Sequence, residues 1–183
     1  MTTAAPAAPA TPRPTSLPDV PRWAVLAAHA VPLVALPSGL WRLLLVAGLP
    51  VAEEGVDSPW TAAYVVSLTV VSEALALLTL GLVRPWGESV PRWVPRLGGR
   101  RIPPLVAVVP ALTGAFLLVA LIAWFVYANA TGIGQGTIGS PAQDLFLLAC
   151  YLPLAAWPPL LIAVTLAYHR RRAAPAPGPA PAA

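Results

Sequence analysis

The chain has 183 residues, of which 57% are hydrophobic and only 10% are charged, and its mean hydropathy is +0.73. A soluble domain carries roughly 25% charged residues, so this composition excludes a water-soluble globular fold. The net charge of +4 and the pI near 10.0 come from eleven arginines and no lysine. In a membrane protein such positive charge sets the orientation in the membrane and favours contact with anionic lipid. We predict no nucleic-acid partner.

The first predicted element is an Ala/Pro/Thr-rich tail over residues 1–22, which shows no apolar periodicity. This composition is typical of disordered segments. A second Ala/Pro-rich tail over residues 169–183 closes the chain, and we predict that it is disordered as well. Residues 23–168 between the two tails form the predicted membrane domain.

Four long apolar runs make up this domain. About 20 helical residues span the hydrocarbon core of a bilayer, and each run is long enough to do so. The predicted spans cover residues 23–47, 62–83, 105–127 and 145–168. We therefore expect an all-α membrane protein whose four transmembrane helices form two hairpins, joined by a connector over residues 84–104.

Arginine is distributed unevenly between the segments outside the spans. Two arginines lie before the first span, five in the connector and three after the fourth span, whereas the other two loops have none. Basic residues concentrate on the cytoplasmic side of a membrane. We therefore predict that both termini and the connector face the cytoplasm. Arg, Ala, Pro and Gly are abundant, and their codons are GC-rich. This composition predicts a high-GC bacterial source, and the membrane is then the bacterial plasma membrane.

Glu73 is the strongest candidate for a functional side chain within a span. It lies about 12 residues into the second span, roughly 18 Å from the outer end, where an ionised side chain costs roughly 2.5–3.5 kcal/mol. The residues that share an arc of about 120° with it are Thr69, Ser72, Ala76 and Thr79. This polar stripe predicts a face turned to the bundle interior. One interpretation is that this face forms a proton, ion or ligand site. The other is that it serves only for packing, with Glu73 protonated or paired with a polar neighbour.

Arg42 in the first span is the residue that we consider as a partner for Glu73. By helical rise it lies roughly 9 Å outward of Glu73. Its long side chain can reach inward to Glu73 or extend outward to the carboxylates of the first loop, and we favour the outward alternative. Those loop carboxylates are Glu53, Glu54 and Asp57.

Several residue types argue against other kinds of site. Cys150 is the single cysteine, which excludes an intramolecular disulfide and a CxxC site, and we interpret it as a small buried hydrophobe. His29 and His169 form no metal or haem motif, and we interpret them as a hydrogen-bonded bundle residue and an interfacial residue. The G-x-G-x-x-G match at residues 134–139 follows a membrane helix and not a strand, so it is no dinucleotide fingerprint. We predict no metal and no cofactor.

Small residues recur every four positions in the third span, at Ala107, Ala111 and Ala115, with Gly114 beside them. Residues of this size let the backbones of two membrane helices approach closely. The stripe predicts packing within the bundle, and a homodimer face is the alternative.

The connector between the hairpins is rich in arginine, tryptophan and proline. Its candidates for contact with anionic lipid or with the membrane interface are Arg84, Arg92, Trp93, Arg96, Arg100 and Arg101. Two prolines within residues 91–97 disfavour a regular helix. We expect a structured segment there, lying on the membrane surface.

Three segments carry a resemblance to a known group of proteins. They are PSGLWR at residues 37–42, SEALALLTLGLVRPWGE at residues 72–88 and VPRWVPRLGGRRIPP at residues 90–104. Across the first two spans and the connector, the chain resembles uncharacterised multi-pass membrane proteins of actinobacteria. The resemblance implies a membrane fold and no particular activity.

The sequence predicts a membrane protein without enzymatic activity, which acts through anionic lipid, a second copy of itself or another membrane protein. The alternative is a small transporter, or an ion or proton path, that uses Glu73 and Arg42. Catalysis inside a membrane needs a converging set of nucleophile, base or metal ligands. The sequence contains no recognisable set of this kind.

Overall fold

The computed structural model describes residues 20–87, 102–133 and 139–173, and every regular element within these ranges is helical. The α-helices are α1 (Arg22–Val46), α2 (Pro59–Leu78), α3 (Pro104–Thr131), α4 (Pro141–Tyr151) and α5 (Trp157–Ala173). Short 3-10 turns cover Thr79–Leu82 at the end of α2, Pro85–Gly87 just beyond it, and Leu152–Ala156 between α4 and α5.

Four helical segments are long and apolar enough to cross a membrane. They are α1, α2 with its 3-10 turn, α3, and α4 joined to α5, with 25, 24, 28 and 33 residues respectively. The prediction of an all-α chain with four helices able to span a membrane is confirmed for the described residues.

Local capping sets where two of the spans begin. The Ser58 hydroxyl accepts a hydrogen bond from the Trp60 N–H at 3.2 Å. Ser140 and Gln143 form a reciprocal capping box at the start of α4. These oxygens accept from N–H groups that have no partner within the helix, and the proline after each serine suits the first helical position. The second and fourth spans therefore start three and four residues before the predicted bounds, because α2 begins at Pro59 and α4 at Pro141.

Two other helix ends also differ from the prediction. The third span continues to Thr131 and ends at Gly132, whose φ of 75° is left-handed. Helix α5 continues to Ala173, so residues 169–173 are helical, and their assignment to a disordered tail was wrong. Three arginines in the last turn of α5 favour this extension, because cations stabilise the negative end of the helix dipole. Residues 1–19 and 174–183 lie outside the described residues.

The prolines of the first and fourth spans differ in their effect on the helix. Helix α1 runs through both Pro32 and Pro37. In the fourth span, Pro153 lies in the 3-10 turn that separates α4 from α5. Proline cannot donate a backbone hydrogen bond, so a change of helix type at this position is expected. Pro158 and Pro159 lie in the first turn of α5, where the missing donors would have no partner within the helix.

The helices pack in the order α2, α1, α5, α3, with α4 also against α1. The first span contacts the second, and the third contacts the fourth, as the prediction of two hairpins requires. The hairpins meet where α1 packs against α4 and α5. Helix α1 is therefore the centre of the bundle.

Small buried residues allow α1 to occupy this central position. One face of the helix buries Ala24, Ala28, Val31 and Ala35, each no more than 1% exposed. On α5, Val164 and Thr165 are as deeply buried. Since lipid tails are as apolar as leucine, close backbone approach is the main source of helix association in a membrane.

Helix α3 is the outermost helix and packs mainly on α5. Ala115 on its inner face is fully buried, and Ala107 and Ala111 pack against the same core cluster. The small-residue stripe therefore packs inside the bundle, as predicted. The opposite face exposes large side chains such as Phe116 (72%) and Leu121 (62%), which suits contact with lipid.

The two ends of the bundle differ in charge. At one end α1 begins, α2 ends, α3 begins and α5 ends, and we call it the basic end. Its described arginines are Arg22, Arg84, Arg170, Arg171 and Arg172. The other end, which we call the acidic end, holds Glu53, Glu54, Asp57 and Asp144.

Candidate functional site

The guanidinium of Arg42 contacts two other spans. Its Nε donates a hydrogen bond to the Tyr151 hydroxyl at 3.1 Å, and its Nη1 donates to Ser72 Oγ at 3.2 Å. The guanidinium carbon also lies 5.5 Å from the centroid of the Tyr151 ring, within the range of a cation–π interaction. Arg42 thereby joins α1 to α2 and to α4.

The structure gives Arg42 different partners from the two that we considered. Its side chain does not extend to the carboxylates of the first loop, so the interpretation that we favoured is wrong. Among the described residues, no ion pair joins Arg42 to Glu73, because the Arg42 guanidinium donates to Tyr151 and Ser72 instead. The Tyr151 and Ser72 oxygens provide acceptors inside the bundle. The guanidinium is therefore hydrogen-bonded without extending to the membrane surface.

Glu73 lies where α2 packs against Gly39 of α1. Its Oε1 is buried and accepts no hydrogen bond from any described residue. A Cβ atom added at Gly39 of α1 would lie 2.9 Å from this oxygen and 3.3 Å from Thr69 Cγ2. Gly39 is thus the position that makes room for the carboxyl group. A buried carboxyl oxygen without a partner is energetically unfavourable, which makes Glu73 a candidate for function.

The polar stripe of α2 faces the bundle, as its spacing predicts. Thr69, Ala76 and Thr79 are at most 5% exposed, and Ser72 and Glu73 are half-buried. The Thr69 hydroxyl donates to the Val65 carbonyl, and the Ser72 hydroxyl donates to the Thr69 carbonyl, both at 2.9 Å. Because the Ser72 proton is used in this way, its oxygen is free to accept from Arg42.

An aromatic cluster surrounds the Arg42 contact with Tyr151. The rings of Trp41 and Tyr151 meet edge to face, with centroids 5.8 Å apart and an interplanar angle of 77°. Trp41, Val51 and Cys150 are buried together in this cluster. The buried position of Cys150 agrees with its interpretation as a small hydrophobe.

His29 and Arg84 form the second polar contact between the first two spans. The His29 Nδ1 lies 2.7 Å from the Val25 carbonyl, which requires a proton on that nitrogen. Its Nε2 is then an acceptor, and Arg84 Nη2 donates to it at 3.1 Å. His29 is thus a hydrogen-bonded residue of the bundle, as predicted, and it orients the first arginine of the connector.

Arg171 and Arg172 place two further positive charges at the basic end. Arg171 Nη2 donates to the Leu82 carbonyl at 3.4 Å, and Arg172 Nη2 donates to the Ile102 carbonyl at 2.8 Å. Their guanidinium carbons lie 5.7 and 6.0 Å from the centroid of the buried Tyr168 ring. These contacts tie the end of α5 to the end of α2 and to the start of α3.

The remaining connector candidates lie outside the described residues. They are Arg92, Trp93, Arg96, Arg100 and Arg101, together with the whole of the predicted interfacial segment over residues 91–97. Of the lipid-contact candidates, the structure therefore describes Arg84.

The described cavity is too small for a ligand. It has a volume of about 10 Å³ and lies at the basic end, lined by residues that include Ala24, Leu82, Tyr168 and Arg171. This volume holds at most one water molecule. Glu73 is not among its lining residues. Within the described ranges, no group of three or more His, Cys, Asp or Glu side chains converges as metal ligands would.

Sequence reasoning missed three residues of the Arg42 site: Gly39, Trp41 and Tyr151. Tyr151 is a polar residue two positions before Pro153 in an otherwise apolar span, and this was the signal that could have identified it. Gly39 and Trp41 precede Arg42 within PSGLWR, but the sequence alone does not show which neighbouring helix they contact.

Comparison with known proteins identified no relative of this chain. The chain matches no protein-family model, no curated protein and no solved structure. The observations that bear on function are therefore the membrane-spanning fold, the Arg42 and Glu73 region, and the arginines of the basic end.

Proposed function

We propose that this is a membrane protein without enzymatic activity, which acts by holding anionic lipid headgroups at its basic end. The observation that carries the proposal is that Arg84 of the first hairpin and Arg171 and Arg172 of the second lie at the same end of the bundle, where Arg171 donates to the Leu82 carbonyl. The arginine-rich connector continues directly from Arg84. A second copy of the chain or another membrane protein is the further partner that we propose for this surface.

Physical reasons favour lipid as the main partner. An arginine near the surface of an anionic membrane contributes about 1 kcal/mol to its attraction. The guanidinium group also matches the geometry of phosphate oxygens, because its planar fork can donate two parallel hydrogen bonds. Trp86, which follows Arg84 in the next 3-10 turn, is 45% exposed, as expected of an aromatic side chain at a membrane interface.

The proposed orientation places the basic end and both termini in the cytoplasm of a bacterial plasma membrane. The segregation of charge between the two ends supports it, since arginine marks the cytoplasmic side. The resemblance to actinobacterial membrane proteins and the exclusive use of arginine support the bacterial source. A reporter fused to either terminus should be active only in the cytoplasm. Activity of such a reporter outside the cell would reverse the orientation.

The lipid proposal is tested by neutralising the connector. Wild-type protein and a variant with Arg92, Arg96, Arg100 and Arg101 changed to Gln are purified, and the lipids retained by each are measured by mass spectrometry. We expect the variant to retain anionic lipid with at least about tenfold lower affinity, given about 1 kcal/mol for each arginine.

The matched control is a variant with Glu53 and Glu54 changed to Gln, which removes charge from the acidic end. This control should retain anionic lipid as the wild type does. Equal retention by all three proteins would overturn the proposed function.

A second candidate function, transport of a proton or ion, is favoured by one observation. Glu73 of the second span presents a buried oxygen that accepts no hydrogen bond from any described residue. Intramembrane carboxyls of this kind occur in proton relays. Proteoliposomes that contain wild-type protein should then pass protons faster than those with Glu73→Gln. Equal flux in the two preparations would remove this candidate.

A further inference from the structure

We propose that α4 is a hinged half of the fourth span, which moves away from α1 while α5 stays packed, and so opens the Arg42 site from the acidic end. The hinge is the 3-10 turn Leu152–Ala156. Two hydrogen bonds, made by Gln143 and Tyr151, hold α4 closed, and we call them the latches. This inference goes beyond the proposed function and does not depend on lipid binding at the basic end.

The turn between α4 and α5 has few backbone hydrogen-bond donors. Pro153 lies within the turn, and Pro158 and Pro159 follow in the first turn of α5. Proline has no N–H group, so residues 153–159 lack three of the donors that a continuous helix would use. A 3-10 stretch within a longer helical segment often marks a hinge, and proline is the commonest cause of a bend.

The hydrophobic core divides at the same turn. Leu161 and Val164 of α5 belong to the larger core cluster, whereas Cys150 of α4 belongs to a separate cluster with Trp41 and Val51. Among the described helices, α5 packs against both α1 and α3, and α4 packs against α1. Segments with fewer packed neighbours open at a lower free energy than the rest of a protein. Helix α4 is therefore the more weakly held half of the fourth span.

The latches lie at opposite ends of α4. Near its beginning, Gln143 Nε2 donates to the Pro50 carbonyl at 3.0 Å. At its last residue, the Tyr151 hydroxyl accepts from Arg42 Nε at 3.1 Å. Lipid tails are as apolar as leucine, so lipid replaces the apolar contacts that α4 loses on opening. The two hydrogen bonds therefore contribute a larger share of the closing free energy than they would in water.

Helix α4 can move as an intact helix, because the capping box of Ser140 and Gln143 closes its first turn. Opening separates Tyr151 from Arg42, whose guanidinium keeps its hydrogen bond to Ser72 of α2. The Nε donor then becomes available to water or to an anion that enters from the acidic end. The movement thus controls access to Arg42.

The test uses Cys150, which is the single cysteine of the chain and is 8% exposed between α4 and α1. Its rate of labelling by N-ethylmaleimide is measured on the full-length protein in detergent micelles. Tyr151→Phe should raise this rate by about fivefold, the factor expected for one hydrogen bond between membrane helices. Gln143→Glu should raise it too, because an ionised Glu keeps the capping oxygen but cannot donate to the Pro50 carbonyl.

Two controls separate the opening of α4 from other effects. Tyr64→Phe changes an exposed tyrosine of α2 and should label as the wild type does. Thr165 of α5 is 0% exposed, and Thr165→Cys in a Cys150→Ala background reports on α5. Labelling at position 165 should be slower than at position 150, and Tyr151→Phe should leave it unchanged. If this variant does not fold, Val164→Cys in the same background takes its place.

The remaining outcomes decide against the hinge. Equal labelling rates at positions 150 and 165 would overturn the proposal, because the whole fourth span would then open together. An unchanged rate at Cys150 in Tyr151→Phe would overturn it as well. Pro153→Ala restores a backbone donor at the turn and should slow the labelling of Cys150 by about fivefold. An unchanged rate in that variant would exclude a hinge at this turn.

Discussion

Arg42 of the first span donates a hydrogen bond to the hydroxyl of Tyr151 in the fourth span, at 3.1 Å. The two residues are 109 positions apart in the chain. The contact joins the two hairpins at a polar group within the apolar bundle. Hydrogen bonds between membrane helices contribute modestly to stability, since the polar groups also find partners in the unfolded state.

Tyr151→Phe should lower the free energy of unfolding by about 1 kcal/mol, because it removes the acceptor of Arg42 but keeps the ring. Unfolding by SDS in mixed micelles can be followed through tryptophan fluorescence, to which Trp41 beside Tyr151 contributes. Tyr64→Phe is the matched control, since Tyr64 is 63% exposed, and it should unfold as the wild type does. Equal stability of the two variants would show that the Arg42 contact contributes nothing.

Exchanging the charges of Arg42 and Glu73 should not restore stability. The R42E and E73R single variants each place like charges in the same region, and the R42E/E73R double variant restores opposite charges. It still loses the hydrogen bonds of Arg42 to Ser72 and Tyr151. We therefore expect the double variant to fold no better than either single variant, by the same unfolding measurement. A clear rescue would instead support a direct ion pair between Arg42 and Glu73.

Gly39→Ala should destabilise the contact between α1 and α2, because the new methyl group would lie 2.9 Å from Glu73 Oε1. Overpacking of a close contact typically costs about 1–3 kcal/mol. Gly114→Ala is the control for helix propensity, since its added methyl group meets no atom within 4 Å. The measured quantity is the difference in unfolding free energy between the two variants.

The same substitution can be placed in a Glu73→Ala background. The loss from Gly39→Ala should become smaller there, because the crowded oxygen has been removed and neighbouring substitutions are not additive. An unchanged loss would locate the crowding at Thr69, whose Cγ2 lies 3.3 Å from the added atom.

His29→Leu should destabilise the protein by about 1–2 kcal/mol, because it removes the acceptor that holds Arg84. His169→Leu changes the same residue type at an exposed position near the basic end and should have little effect. Thermal unfolding in detergent compares the two variants. If both lose stability equally, the contact between His29 and Arg84 is not the cause.

Several features of the fold could be predicted because they depend on local physical properties. The number of spans follows from the length of the apolar runs. In lipid the backbone N–H and C=O groups of each run must pair with one another, and an α-helix achieves this. The inward face of α2 follows from the helical spacing of Thr69, Ala76 and Thr79. The inward position of Ala115 follows in the same way from the four-residue spacing of small residues in α3.

Helix ends were harder to predict, since they depend on single capping contacts. A hydropathy pattern locates the apolar core of a span but not the polar turns beyond it. Ser58 and Ser140 extend two spans at their beginnings. Arg171 and Arg172 extend α5 through contacts with carbonyls that are distant in sequence.

The partner of Arg42 shows where sequence reasoning ends. Helical rise predicted its depth, and charge suggested a carboxylate as its partner. The chosen partners are Ser72 and Tyr151, which are neutral and belong to different spans. The depth of each residue along its own helix is a local property, whereas the rotation and order of the helices decide which side chains meet.

The sequence by itself therefore determined that the chain is helical, that it has four helices long and apolar enough to span a membrane, and that its charges separate along the bundle. Local hydrophobicity and helix periodicity are sufficient for these properties. Only the tertiary structure decided that α1 lies at the centre, that Gly39 makes room for Glu73, and that Arg171 reaches Leu82 across the two hairpins. These depend on close packing between helices, where the size of a single side chain sets the distance between two backbones.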